Sequence, residues 1–368
     1  MILRQLCPRR RSLCRAVCWA GSEDFKVTKE SRVNTSGWLN VLHFGSTLCR
    51  SATVVSCSRR RYFLAEISAL HFCIALTTSN VRTSGPRGAP VPYTAEISRT
   101  NPSCFLFLVD QSASMVDTIG EARLRKSAVV ADSLNRLLTE VAIRCAKEEG
   151  VRDYFYVSVL GYGGRSVQSA FSGALQGRDL TPISQVAEYP LRVDQRVKLK
   201  PDGAGGVVEV KTDFPVWVEA QANGATPMCG ALNRARDLLS AWIAEHPRGF
   251  PPIVLNLTDG EANDGDPIAS ARQLTQLRTD DGNVLLFNLH ISDKGGAPIT
   301  FPADSSSLPD AYARSLFEMS SELPPHMREY AASNHYDVRE GSRGFVYNSD
   351  MVSLVQFLDI GTRALALR

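Results

Sequence analysis

The stretch FLFLVDQSASMVD, residues Phe105 to Asp117, decides the reading of this chain. An apolar run stops at an aspartate, and serines follow two and four positions later. A strand that is apolar on both faces belongs in the middle of a sheet covered by helices on each side. SCFLFLV, residues 103–109, has that character. Asp110-x-Ser112-x-Ser114 is then either a capped turn after the strand or a group of oxygen side chains delivered to the edge of the sheet.

Outward from this stretch, apolar runs alternate with amphipathic ones, the pattern of βαβ units and a mainly parallel sheet. Val130, Leu134, Leu137, Leu138, Val141 and Cys145 recur at spacings of three and four. That periodicity predicts a helix over residues 119–147, opened by a Thr118-x-x-Glu121 capping box. YFYVSVLGYG (154–163) reads as the next strand, and ATPMCGALNRARDLLSAWIAEH as a helix with Pro227 at its first position. PPIVLNLTDGE reads as a buried strand stopping at Asp259-Gly260. Further strands are expected over 284–291 and at GFVY, with helices over 267–277, 311–322, 325–333 and 351–365. GGAPITFPADSSSLPD is expected to be a long loop. Residues 164–224 differ in kind: PDGAGG punctuation and short segments such as VVEVK and FPVWVEA predict an insertion of hairpins and loops. The expected fold is α/β: a doubly wound, Rossmann-like, mainly parallel sheet flanked by helices, with a β-rich insertion.

Charge divides the chain unevenly. Its 41 Lys and Arg and 38 Asp and Glu give a net +3, but residues 1–90 hold 14 basic and four acidic residues, net +10. Residues 91–368 are left with 27 basic and 34 acidic residues, net −7. Six of nine cysteines precede residue 90 without the paired spacing of a zinc site. Cys104, Cys145 and Cys229 sit singly in apolar or helical patterns, as reduced cysteines do, and point to a reducing, cytoplasmic compartment.

Charged and polar residues interrupt each apolar core of residues 1–90, so a secretory signal is not expected. YFLAEISALHFCIA (62–75) is too short to span a bilayer and contains Glu66 and His71, so no membrane association is expected. Residues 1–90 are expected to be a basic, Cys- and Arg-rich leader, either disordered or a mis-called start with Val91 as an alternative initiation codon; a mitochondrial presequence is the competing reading. Residues 91–368 form the expected domain. Basic runs such as SRRRY lie in the leader, and the net negative remainder argues against a nucleic-acid surface.

In open α/β sheets, ligands sit beyond the carboxyl ends of the strands. Three such places carry oxygen side chains: Asp110, Ser112 and Ser114 after the first strand, Thr226 at a helix start, and Asp259 after IVLNL. Two carboxylates and three hydroxyls, with no His or Cys, suit a hard cation, Mg2+ foremost and Mn2+ or Ca2+ as alternatives. Water and a further carboxylate would complete the octahedron. Each piece also has a structural reading: a serine-capped turn, an N-cap before proline, a turn dipeptide.

Taken together, Asp110-x-Ser112-x-Ser114, Thr226 in GATPM and Asp259 in LTDGE resemble the metal-ion-dependent adhesion site (MIDAS) of von Willebrand factor type A (vWA) domains, in particular those of intracellular bacterial proteins. The resemblance covers about residues 103–365. It implies that Ser112 and Ser114 bind Mg2+ through their hydroxyls, that Thr226, Asp110 and Asp259 act directly or through water, and that one position stays open for an Asp or Glu of a protein partner. It further implies an adaptor or scaffold rather than an enzyme, working beside a kinase, phosphatase or AAA+ ATPase in a bacterial stress-response or signalling system. Departures from the family pattern are the 164–224 insertion and the SDKGGAPITFPADSSS loop.

The competing reading is a metal-dependent phosphohydrolase, whose first strand also ends in aspartate. Such an enzyme needs an acid two residues later to protonate the leaving oxygen, and Ser112 stands there. Neither serine lies in a Gly-x-Ser-x-Gly elbow. DGEANDGD (259–266) resembles a calcium loop, but Ser270 occupies the twelfth position where glutamate belongs, so helix capping is expected instead. His290, His326 and His335 have no partner at ligand spacing and are expected to be structural.

Overall fold

The structure is a computed structural model that describes residues 92–120, 122–164, 166–201, 206–291 and 298–348. The expected leader, Glu121 of the expected capping box and the expected helix over 351–365 lie outside the described residues.

The first strand, β1 (Ser103–Asp110), is buried along its whole length. It runs parallel to β2 (Phe155–Gly163) on one side and to β6 (Ile253–Thr258) on the other. β7 (Leu285–His290) adds in parallel to β6, and β9 (Phe345–Tyr347) to β7. Two antiparallel edges finish an eight-stranded sheet: β3 (Ser166–Ser169) against β2, and β8 (Ile299–Thr300) against β9. The remaining pair, Thr181–Pro182, also joins β2. The expected mainly parallel α/β architecture is therefore present, and the 164–224 insertion is corrected at its start, where β3 extends the main sheet.

Side chains of β1 alternate between two cores, as the period of a strand requires. Phe105, Phe107 and Val109 face one core with Leu255, Phe287 and the helix α1 (Lys126–Cys145). Cys104, Leu106 and Leu108 face the other, with Leu286 and the helices α3 (Met228–Glu245), α4 (Pro267–Thr275) and α5 (Ala311–Met319). Leu134 and Leu138 of α1 and Leu232 and Leu239 of α3 are fully buried at 0% exposure. At about 2 kcal/mol for each such leucine, these stripes fix which helix covers which face. No helix among the described residues is long and apolar enough to cross a membrane.

The helix expected from residue 119 starts at Lys126 instead. Gly120 and Arg123 take left-handed φ values of 69° and 48°, which no α-helix tolerates. They turn Thr118–Ile119 back onto Leu124–Arg125 as a small antiparallel pair, closed by the Lys126 amide donating to the Asp117 carbonyl at 2.8 Å.

The rest of the insertion holds a short helix, α2 (Ile183–Glu188), and a hairpin of two ten-residue strands, β4 (Arg192–Pro201) and β5 (Val207–Val216). Its return is clasped to α1. The Asn135 carboxamide oxygen accepts from the Trp217 and Val218 amides at 2.9 and 3.1 Å, and its nitrogen donates to the Val218 carbonyl at 2.9 Å. The Trp217 indole, 1% exposed, donates to the Val186 carbonyl at 2.6 Å. The domain also extends in front of β1: Asp281 accepts from the Thr94 and Ala95 amides at 2.9 and 3.0 Å, and Ile97 is buried.

Candidate metal site

β1 and β6 lie side by side with Val109 level with Leu257, so their last residues, Asp110 and Thr258, reach the carboxyl edge of the sheet together. Asp110 is 1% exposed, and both its oxygens are held. Oδ1 accepts from the Ser112 amide at 2.8 Å, and Oδ2 accepts from the Thr258 hydroxyl at 2.7 Å. The loop that follows is pinned by its backbone: the Gln111 amide donates to the Tyr162 carbonyl at 2.8 Å and the Ala113 amide to the Gly224 carbonyl at 3.0 Å. A Cβ on Gly161 would collide with the Gln111 carboxamide, so glycine at this point in β2 lets the loop settle against the sheet.

Beyond the aspartate, the Ser112 and Ser114 hydroxyl oxygens are 3.0 Å apart, and Ser114 donates to Asp259 Oδ1 at 2.7 Å. The other oxygen of Asp259, Oδ2, meets the Lys126 ammonium at 3.0 Å. Asp110, Ser112, Ser114 and Asp259 are thus one connected group. Thr226 is placed by its backbone, its carbonyl accepting from the Met228 amide at 2.8 Å and the Asn263 amide at 3.2 Å. The adjoining Asn223 amide donates to the Gln111 carbonyl at 2.6 Å, which brings the Thr226 segment against the serine loop.

Burial pushes the Asp110 carboxyl up to about 6; hydrogen bonds from Ser112 and Thr258 pull the other way, and the charge of Asp259 adds to the rise. Burial of this kind disfavours the charged form, which either a proton or a nearby cation relieves. The donors fit a cation. They are oxygens only, and an octahedral ion with ligands at 2.0–2.1 Å sets neighbouring ligands about 2.9 Å apart, close to the spacing of the two serine oxygens. Asp110, Ser112, Ser114, Thr226 and Asp259 would hold Mg2+, which when bound would supply a Lewis-acidic position at this edge.

Thr258 and Lys126 are site residues that sequence reasoning missed. They orient Asp110 and Asp259 from outside, the task of outer-shell partners at metal sites. The helix reading also shifts: Pro227 precedes α3 rather than opening it, and α3 is capped by Asp264, whose carboxylate accepts from the Cys229 and Gly230 amides at 3.0 and 2.8 Å. Asp266 caps α4 through the Ile268 amide at 2.9 Å. Two acids of DGEANDGD are therefore helix caps, as expected. His290 ends β7 level with Thr258 and stacks on Tyr347, with ring centroids 4.8 Å apart.

No protein-family profile matches the chain, and no curated protein does. Among solved structures, a match is the vWF domain of the type V pili tip protein Mfa5 from Porphyromonas gingivalis. It is 15% identical with a TM-score of 0.24, and the match covers 44% of this chain and 39% of that one, less than half of either.

Proposed function

We propose that this chain is a Mg2+-dependent protein-binding module of the von Willebrand factor type A kind, in which an Asp or Glu of a partner protein completes the coordination of the ion. The observation that carries this reading is the hydrogen-bonded group Asp110, Ser112, Ser114 and Asp259 at the ends of two adjacent central strands. Their roles follow from their chemistry: the serine hydroxyls face each other at ligand spacing, and the carboxylates supply charge. Mn2+ or Ca2+ would substitute in the same oxygen set.

A binding role is favoured over catalysis by the residue two positions after Asp110. A phosphohydrolase needs an acid there to protonate its leaving oxygen, and the residue there is Ser112, whose hydroxyl faces that of Ser114 at 3.0 Å. The three cysteines in the described residues, Cys104, Cys145 and Cys229, are free thiols, which supports a reducing compartment and a cytoplasmic adaptor or scaffold. A neighbouring kinase, phosphatase or AAA+ ATPase in a bacterial stress-response or signalling system is the proposed setting. Affinity capture from the native cell with the wild-type chain tests the reading. A partner retained in Mg2+ and released by EDTA, and not captured by Ser112→Ala, is expected; capture indifferent to both would overturn it.

A further inference from the structure

We infer that Lys126 is a built-in counter-charge of this site, a tethered cation that orients Asp259 and lowers the affinity of the site for divalent ions. The inference rests on the metal-binding reading above.

Lys126 is the first residue of α1, where the positive end of the helix dipole disfavours a cation. Nor does burial favour it: lysine is almost never buried unless paired. Yet its side chain is 5% exposed, and its ammonium lies 3.0 Å from the carboxylate of Asp259, itself 1% exposed. Local helix chemistry therefore does not account for a lysine here, and the site does. The ammonium takes Asp259 Oδ2, which leaves Oδ1 turned to the Ser114 hydroxyl.

Charge follows from the same geometry. Asp110 and Asp259 together with Lys126 sum to one negative charge rather than two. Asp117, the second carboxylate near the ammonium at 3.8 Å, is 58% exposed and screened by water. A divalent ion at this edge thus meets one uncompensated carboxylate and retains a net positive charge. Affinity for the bare ion is lower as a result, and the pull on an incoming anionic group is stronger.

The experiment is calorimetric titration of the full chain with Mg2+ alone, comparing wild type, Lys126→Arg, Lys126→Gln and Lys126→Met. The neutral variants are expected to bind Mg2+ about tenfold or more tightly than wild type, and the arginine variant within about threefold of it. A lysine that merely anchors the helix would lower stability without raising affinity, so unchanged or weaker Mg2+ binding in both neutral variants overturns the inference. If the neutral variants do not fold in EDTA, folding restored by millimolar Mg2+ supports it, and failure to fold with Mg2+ present overturns it. Mg2+ binding by the neutral variants but not by wild type supports it. No Mg2+ binding by any of the four chains overturns both the inference and the reading beneath it.

Discussion

The Ser114 hydroxyl donates to Asp259 Oδ1 at 2.7 Å across 145 positions of sequence, tying the loop after the first strand to the end of its neighbour. Ser114 is exposed while Ser112 is buried at 2% exposure. Ser114→Ala nevertheless leaves the Asp259 carboxylate, whose side chain is 1% exposed, without that donor, at an expected cost of about 1–3 kcal/mol. In the proposed role both Ser114→Ala and Ser112→Ala weaken Mg2+ at least about tenfold, read by calorimetric titration beside chemical denaturation. Equal Mg2+ affinity in wild type and both variants would remove the serines from the ligand set.

Thr258 supplies a hydroxyl to the buried carboxylate of Asp110 at 2.7 Å. Thr258→Val keeps the shape and removes the donor, at an expected cost of about 1–3 kcal/mol. Metal affinity should fall about 10- to 100-fold, as when an outer-shell partner is lost. Thr258→Ser should retain most of both. A valine variant as stable as wild type would mean the contact contributes little.

Asp110 gives the site a pH dependence with a definite sign. Its carboxyl is raised from 3.8 to about 6 in the folded chain. Between those values the folded chain holds a proton that the unfolded chain has released, so stability falls as pH rises and levels above about 6. The contribution is on the order of 3 kcal/mol, present below the unfolded value and lost through the folded one. Denaturation in EDTA across this range should show a slope that Asp110→Asn reduces. Mg2+ affinity should climb with pH up to about 6 and then flatten, because the ion needs the carboxylate.

Asn135 tests whether the insertion and the site are energetically separate. It is 2% exposed and satisfies three backbone groups of Trp217 and Val218. Asn135→Leu leaves those groups unpaired, and a loss of roughly 2–4 kcal/mol is expected. Mg2+ affinity should stay within about twofold of wild type, measured at a temperature where the variant is folded. A large change in affinity would instead couple the insertion to the metal edge.

Gly163 is the tightest backbone approach beneath the serine loop. Gly163→Ala drives a methyl group against the backbone carbonyls of Gln111 and Asn223 and should destabilise the fold by about 1–3 kcal/mol. Thermal unfolding checks this; an unchanged midpoint would show that the loop backbone yields.

The parallel core was legible because a strand covered on both faces must be apolar on both, and Phe105 through Val109 announce this without any partner in view. Asp110, Ser112 and Ser114 were legible for a similar reason, since their spacing is local. Lys126 and Thr258 were not. Their site contacts join residues 133 and 148 positions apart, and a helix-opening lysine or a strand-ending threonine looks ordinary until the strands are paired. The start of α1 was misplaced because Arg123 adopts a left-handed conformation that its residue type does not advertise. The β3 edge was hidden in the insertion because SVQS has too few residues to show a period.

Asp110 closes β1, Thr258 closes β6, and Thr226 stands before α3, so the edge is composite: no contiguous peptide contains it. Whatever this edge binds recognises a finished tertiary structure and ignores the unfolded chain. By mass action such a ligand shifts the folding equilibrium itself, by about 2.7 kcal/mol at a hundred times its dissociation constant. The concentration of free ligand would then govern how much of this chain survives proteolysis as well as how much is engaged.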